Sequence, residues 1–464
     1  MRLTVSRWVG AGLLFSAFAA YGADSRQAPS AGPLGFMEAY RLALQNDASL
    51  LVARSARDAS REYVPQALAG LLPSVALSGG RNRNDAHNET LNSQGKPVTS
   101  DLAYFSDIKS LTLRQPMFRM GSWAQLGFAQ AQEQYGEASY DKEHQALAGK
   151  LAAAYSQALL GEELVALSRV HREALVQQLD QAQRMFQAGE GTRTEVDEAQ
   201  ANHDLVVAEE IEAINGRDVA FRSLEEIIGV RPGRLLALAP DRLPVAAPLS
   251  DSLDVLLEVA RENNPDLVAA RANLEAAGQD VRKARAGHFP TLDLVVARRL
   301  STSESNNTVN SRYDTNYVGI EYNIPIFSGG GVQAGVRQAL ANKEKSGYQV
   351  DAAERKTETS LRKSYLDVQT SSAKIRALRL AVKSSETALT SSRKGLQAGI
   401  STQLDVLNAI HRLYSARRDL VRANFDFVIA WVNVRTLTGQ INESDVKKIA
   451  DWFGAFPSSG GNGS

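Results

Sequence analysis

The chain has 464 residues, no cysteine, and 52 basic against 52 acidic side chains, which gives a formal net charge of zero. The balanced charge argues against the basic surface of a nucleic-acid-binding protein. The missing cysteine excludes a disulfide scaffold and leaves no acceptor for lipid attachment near the N-terminus.

The first residues have the pattern of a secretory signal peptide, predicted over residues 1–22. Arg2 and Arg7 precede an apolar run at 8–20 that ends in small residues suited to cleavage. This run is shorter than the roughly 20 residues of a membrane-spanning helix, and no later stretch is long and uncharged enough to be one. We therefore expect the mature chain in the periplasm, in the outer membrane or outside the cell.

The remaining chain is predicted to be a duplication, with a first repeat at 23–248 and a second at 249–450. Three pairs of segments match in the same order, at offsets of 217, 209 and 210 residues. They are 71–77 with 288–294, 115–118 with 324–327, and 186–189 with 396–399. Ordered matches at near-constant offsets indicate one structural unit used twice.

Each repeat is predicted to contain a helix, a strand, a polar loop, a strand, a long helix, a turn and a returning helix. Residues 317–324 alternate apolar and polar or small side chains, which is typical of a half-buried strand. The polar segments 81–101 and 301–314 are predicted to be loops. Helices of about 35 residues are predicted at 36–70 and 194–229, and a tail of low order is predicted at 451–464.

Behind the second strand of each repeat, a helical pattern continues for about 65 residues, which corresponds to a rod of about 100 Å. Apolar side chains recur every seventh residue in the second repeat, as in a coiled coil. They are Leu361, Val368, Ile375, Val382, Leu389 and Leu396. The first repeat has Arg172 in the equivalent series, so we expect the second repeat to be the one that moves. Two helices of about 35 residues placed end to end would match one long rod.

Four strands per chain cannot close a barrel, and an open sheet edge in lipid would leave backbone groups unpaired. Either the sheet lies outside the membrane or several chains share one barrel. A soluble protein would leave the long helices without an evident partner.

The chain resembles the TolC family of outer-membrane channel-tunnels. The resemblance is carried by Gly287–Leu294 (GHFPTLDL), by Pro325–Gly330 (PIFSGG), and by the pattern Gly399-x-x-Thr402-x-x-Asp405-Val406-Leu407. It implies an α+β membrane protein that forms a homotrimer, with a twelve-stranded β-barrel continued by a coiled-coil periplasmic tunnel. It also implies partners: outer-membrane lipid, a periplasmic adaptor (membrane fusion) protein, and an inner-membrane ABC exporter or proton-driven pump.

The same resemblance places the two helix-to-helix turns at the periplasmic entrance. The residues expected at the entrance or gate are Thr192, Glu195, Leu396, Ser401, Thr402, Asp405 and Asn408. The residues expected at the adaptor-contacting tips are Ala188, Gly189, Glu190, Ala398, Gly399 and Ile400. Gly189 and Gly399 also suit left-handed helix caps.

Glu195 and Asp405 are equivalent in the two repeats and admit two interpretations. Acidic side chains near a helix N-terminus are favoured there for structural reasons. In a trimer they would also form a ring of six carboxylates that selects cations. Some family members have a tyrosine, an arginine and a second aspartate where this chain has Leu396, Ser401 and Asn408. We therefore expect a gate held by packing more than by salt bridges.

No catalytic constellation, phosphate-binding loop or metal-ligand spacing is present, so we expect no enzyme, cofactor or metal, and we expect the six histidines on the surface. The predicted function is a passive exit duct for a type I secreted protein. The alternatives are the outer-membrane part of a multidrug efflux pump, a periplasmic adaptor protein, and a structural coiled coil. The adaptor and coiled-coil alternatives do not explain two pairs of strands.

Overall fold

The computed structural model describes residues 32–454, so the predicted signal peptide lies outside the described residues. The first repeat contains α1 (Phe36–Asn46), α2 (Ala48–Arg61), α3 (Tyr63–Ala69), β1 (Ser74–Leu91), β2 (Pro97–Arg119), α4 (Met120–Gln187) and α5 (Arg193–Ile228). The second contains α6 (Leu253–Asn263), α7 (Pro265–Ala286), β3 (Thr291–Thr302), β4 (Arg312–Asn323), α8 (Gly331–Gln397) and α9 (Gln403–Leu437). Helix α10 (Glu443–Trp452) follows. The predicted duplication is therefore visible as a repeated order of elements.

The helix predicted at 36–70 is wrong as a single element, because it is divided into α1, α2 and α3. Asp47 has an extended backbone and its carboxylate accepts a hydrogen bond from the Leu50 N–H at 2.8 Å, which starts α2 afresh. In the second repeat, Asn264 caps α7 in the same way through the Leu267 N–H. A side-chain cap inside an apolar pattern thus ends one helix and begins the next.

The four strands form one antiparallel sheet in the order β1-β2-β3-β4. Val75, Leu113, Val296 and Val318 lie directly opposite one another across the four strands and so share one face. This face is largely exposed, with Val318 at 72%. On the other face, the Arg114 guanidinium contacts the carboxylates of Asp293 and Glu321, each at 2.8 Å. At the level of these residues, one face of the sheet is thus apolar and the other charged.

The loops predicted at 81–101 and 301–314 are too long. Strands β1 and β2 pair continuously from Ser74↔Arg114 to Leu91↔Pro97, which leaves only 92–96 as a turn. Between β3 and β4 only 303–311 remain outside the strands. The polar side chains that suggested a loop form cross-strand pairs instead, among them Arg81 with Asp107 at 3.6 Å. Polarity here reflects exposure and not irregular backbone.

The helices form a wall of continuous and composite rods. Helices α4 and α8 run for 68 and 67 residues, while α5 and α9 have 36 and 35. Near the sheet α4 packs against α2, α3 and α7, and farther away it packs against α5 and α9. The predicted pairing of one continuous rod with one composite rod is confirmed. No helix between residues 32 and 454 has enough apolar sequence to cross a membrane.

The largest buried core lies where the composite rods meet. Phe36, Tyr155 and Phe453 form mutual aromatic contacts there, and the Tyr155 hydroxyl donates to the Leu34 carbonyl at 2.8 Å. The tail predicted from residue 451 was therefore placed too early, because Trp452 ends α10 and both Trp452 and Phe453 are buried. Residues 455–464 lie outside the described residues.

Candidate functional site

Two short turns, at 188–192 and 398–402, join the long and returning helices at the end of the molecule opposite the sheet. Gly189 and Gly399 have positive φ values of 77° and 72°, which confirms the predicted left-handed caps. In the second turn the Ile400 N–H donates to the Gly395 carbonyl at 2.9 Å, and the Glu190 N–H makes the matching bond to Met185 at 2.9 Å. The two tips therefore share one backbone design.

The acid that follows each turn caps its returning helix. The Glu195 carboxylate accepts a hydrogen bond from the Thr192 N–H at 2.7 Å, and the Asp405 carboxylate accepts one from the Thr402 N–H at 2.8 Å. Each threonine hydroxyl in turn accepts from the N–H of its acid, which completes two capping boxes. The hydrogen bonds from the Thr402 N–H and hydroxyl lower the pKa of Asp405. The structural interpretation of both acids is confirmed.

The side chains of the two tips differ although their backbones agree. Ile400 is 84% exposed and Leu404 is also exposed, whereas the equivalent positions of the first tip hold Glu190 and Thr194. Ala188, Ala398 and Asn408 are exposed as well. The second tip thus presents apolar surface where the first presents polar surface.

Leu396 and Ser401 lie behind the second tip. Leu396 packs against a small core cluster formed by Leu175, Val206, Val406, Leu407 and Ile410. A Cβ added at Gly395 would overlap the Ser401 hydroxyl, so this turn is tightly closed. The cluster joins all four helices that lead to the two tips, because its members come from α4, α5 and α9 and Leu396 belongs to α8.

A polar seam between α4 and α9 was not predicted from the sequence. Gln403 accepts a hydrogen bond from the buried Gln178 amide and donates one to the Met185 sulfur at 3.0 Å. Farther along α9, a contact to α5 follows, because His411 Nε2 lies 2.9 Å from the side-chain oxygen of Asn202. Gln403 takes the place of Arg193 of the first repeat, and this difference at an otherwise matched position was the available clue.

The strands, the rods and the two tips together match a known family of membrane proteins. The family model described as "Outer membrane efflux protein" matches residues 39–230 and 256–440. The chain belongs to this family. It is an outer-membrane channel protein with a large periplasmic portion, which confirms the predicted location and the predicted TolC-like fold.

Two relatives and one solved structure illustrate the similarity. The chain is 35% identical over 434 residues to the "Proteases secretion protein PrtF" of Dickeya chrysanthemi, covering 92% of this chain and 93% of the relative. It is 29% identical over 420 residues to the "Outer membrane protein TolC" of Escherichia coli, covering 88% and 83%. The Campylobacter jejuni CmeC outer membrane channel has the same fold, with a TM-score of 0.75 at 16% identity, covering 91% of this chain and 90% of that one.

Proposed function

We propose that this channel is the outer-membrane exit of a type I secretion system and that its cargo is a protein, with a secreted protease as the first candidate. The observation that carries the proposal is the 35% identity to PrtF along nearly the full length of both chains. The channel acts as a passive duct and carries out no catalysis. Energy would come from an ABC exporter in the inner membrane, and an efflux pump driven by protons is the alternative.

The functional unit is a homotrimer. Strands β1 and β4 are the outer strands of the sheet, so each has an edge unpaired within the chain. Three sheets joined edge to edge give twelve strands, and closure removes the cost of unpaired backbone in lipid. The row of Val75, Leu113, Val296 and Val318 faces lipid in this arrangement, and the cluster of Arg114, Asp293 and Glu321 faces the water-filled lumen.

The two tips form the periplasmic entrance and meet the adaptor protein. The exposed Ile400 suits an apolar contact and the exposed Glu190 suits a polar one, so an adaptor would meet alternating surfaces around the ring. Six carboxylates, from Glu195 and Asp405 of three chains, line the opening and favour cations. Because Leu396 is already packed against the small core cluster, closure depends on packing as well as on polar bonds.

Deleting the gene tests the proposal. We expect one or more proteins to disappear from the culture supernatant and to return when the gene is restored on a plasmid. Sensitivity to detergents and dyes is measured in the same strains. If the secreted proteins are unchanged and drug sensitivity rises, the channel serves efflux and the secretion proposal is wrong.

A further inference from the structure

His171 of α4 is buried in the wall without a hydrogen-bond partner. Its residue surface is 4% exposed, and neither ring nitrogen has a partner within hydrogen-bond distance. The expectation that the histidines lie on the surface is therefore wrong for this residue. A buried polar group without a partner is costly, so each such group in a folded protein calls for an explanation.

The surroundings of His171 join three helices. Its ring stacks on Tyr414 of α9, with centroids 4.0 Å apart and planes 14° from parallel. The ring of His411, also on α9, meets it edge-on at 5.2 Å. His411 Nε2 in turn lies 2.9 Å from the side-chain oxygen of Asn202 on α5. We call these four residues the histidine cluster, and it connects α9 to α4 and α5 of the first repeat.

The charged groups around the cluster do not neutralise a protonated His171 well. From α5, the Glu209 carboxylate lies 3.8 Å from Nδ1, but its side chain is 51% exposed. Glu210 is already paired with Arg169 and Arg172 of α4.

From α9, the basic group in contact with His171 is His411, which opposes a positive charge there. The Arg418 guanidinium lies 5.9 Å from the Tyr414 ring, and Arg422 also acts on that tyrosine. A proton on His171 would therefore sit against the Tyr414 and His411 rings, with one solvated carboxylate, that of Glu209, as compensation.

We propose that the histidine cluster is a proton-sensitive latch of the periplasmic entrance, in which protonation of His171 weakens the seam between α4 and α9 and favours the open arrangement. The inference rests on the proposed function and deepens it, because it assumes that the part of the helical wall next to the two tips acts as the gate. The latch would couple opening of the duct to acidity on the periplasmic side of the channel.

The sign follows from linkage between proton binding and opening. Burial, with a smaller contribution from His411, lowers the pKa of His171 from its ordinary 6.5 to about 4. When α9 moves away, the ring meets water and its pKa returns toward 6.5. The closed state is thus favoured in full above pH 6.5, and this preference is lost as the pH falls from 6.5 toward 4. Between pH 7.5 and 5 the ratio of open to closed should rise roughly thirtyfold for each protomer, and more steeply for a trimer whose three protomers open together.

The test uses the full-length trimer in planar bilayers, with the periplasmic side titrated from pH 7.5 to 5. We expect acid to raise open probability in the wild type and to have little effect on His171→Phe, which keeps the ring stack and cannot be protonated. The matched control is His144→Phe, because His144 lies on the same helix and also stacks on a tyrosine, Tyr140. This control should keep the acid response.

Two outcomes overturn the latch: a wild-type channel whose opening ignores pH, or a His171→Phe channel that responds as the wild type does. If His171→Phe forms no trimer, hydrogen exchange of the backbone amides of residues 403–414 is measured in the wild type instead. The exchange rates are corrected for their intrinsic pH dependence. Faster exchange at pH 5 supports the latch and unchanged exchange overturns it. A channel that conducts at pH 7.5 leaves the proposed duct intact in either case.

Discussion

Thr402 and Asp405 bond to each other in both directions at the start of α9. The Asp405 carboxylate lies 2.8 Å from both the backbone nitrogen and the hydroxyl of Thr402, and the Asp405 N–H lies 3.1 Å from that hydroxyl. The same arrangement joins Thr192 and Glu195 at the start of α5. Both returning helices therefore begin with a closed ring of hydrogen bonds directly beside the exposed tips.

Replacing Thr402 by alanine removes the hydroxyl from this ring and should destabilise the first turn of α9 by about 1 kcal/mol. Amide exchange of residues 403–406 should become about fivefold faster. Thr402→Ser, which keeps the hydroxyl, should exchange as the wild type does. Equal exchange in the alanine and serine variants would contradict the capping role.

The pKa of Asp405 predicts how this cap responds to acid. Because the pKa is lowered from 3.8, the stabilisation is complete above 3.8 and is lost only as the pH falls through the lowered value. Exchange of residues 403–406, corrected for intrinsic rates, should thus be constant between pH 7.5 and 5 in a His171→Phe background. A change there would mean that the cap, and not the histidine cluster, senses acid.

Asp405→Asn should reduce the preference of the channel for cations, because three of the six proposed ring carboxylates lose their charge. The reversal potential in a salt gradient across a planar bilayer measures this preference. Glu195→Gln is the matched variant and removes the other three charges. If neither variant shifts the reversal potential, the carboxylate ring does not control selectivity.

Two glycines with left-handed backbone should respond differently to alanine. Gly439 has a φ of 66°, and a Cβ there would overlap the carbonyl oxygen of Asn263. Gly399 has a φ of 72°, but no atom lies within 4 Å of the position that its Cβ would occupy. Gly399→Ala should therefore destabilise the protein only by the backbone strain of about 1 kcal/mol. Gly439→Ala should destabilise it much more, which would be measured as a larger fall in the thermal unfolding temperature of the trimer. Equal effects would show that the close approach at Gly439 is relieved at no cost.

Val318→Lys should impair assembly in the outer membrane, because a lysine on the lipid-facing row costs about 2–4 kcal/mol near the bilayer centre. Tyr317→Lys is the matched control, since the neighbouring residue of β4 points to the opposite face. Heat-modifiable trimer bands from isolated outer membranes give the measurement. If the Tyr317 variant lost the trimer and the Val318 variant kept it, the assignment of the two faces to lipid and lumen would be wrong.

The sequence predicted the long rods and the existence of two strand pairs, because those features occur twice in the chain, but it did not predict the extent of the strands. The offset of 210 residues aligned Thr192 with Thr402 and Glu195 with Asp405, and the structure gives both pairs the same geometry. Repetition therefore allowed a weak local pattern in one half to be checked against the other.

The features that could not be predicted depend on contacts between segments distant in the chain. Gln178 and Gln403 are 225 residues apart and their hydrogen bond joins the two repeats, so no local pattern indicates the seam. His171 was expected on the surface because the histidines show no metal-ligand spacing, whereas its ring packs against Tyr414 and His411 of the other repeat. The prediction of a loop at 81–101 was wrong for a different reason. These residues form exposed parts of β1 and β2, and exposed strands need no alternation of apolar and polar side chains.

The free edges of β1 and β4 also constrain how the channel is made. A single chain whose four strands entered the bilayer alone would expose unpaired N–H and C=O groups to hydrocarbon, at several kcal/mol each. Insertion and trimerisation must then be one event, with no inserted monomer along the way. The yield of assembled channel should consequently depend steeply on how many chains reach the outer membrane together. Below a threshold rate of synthesis, few channels would form and export would be low.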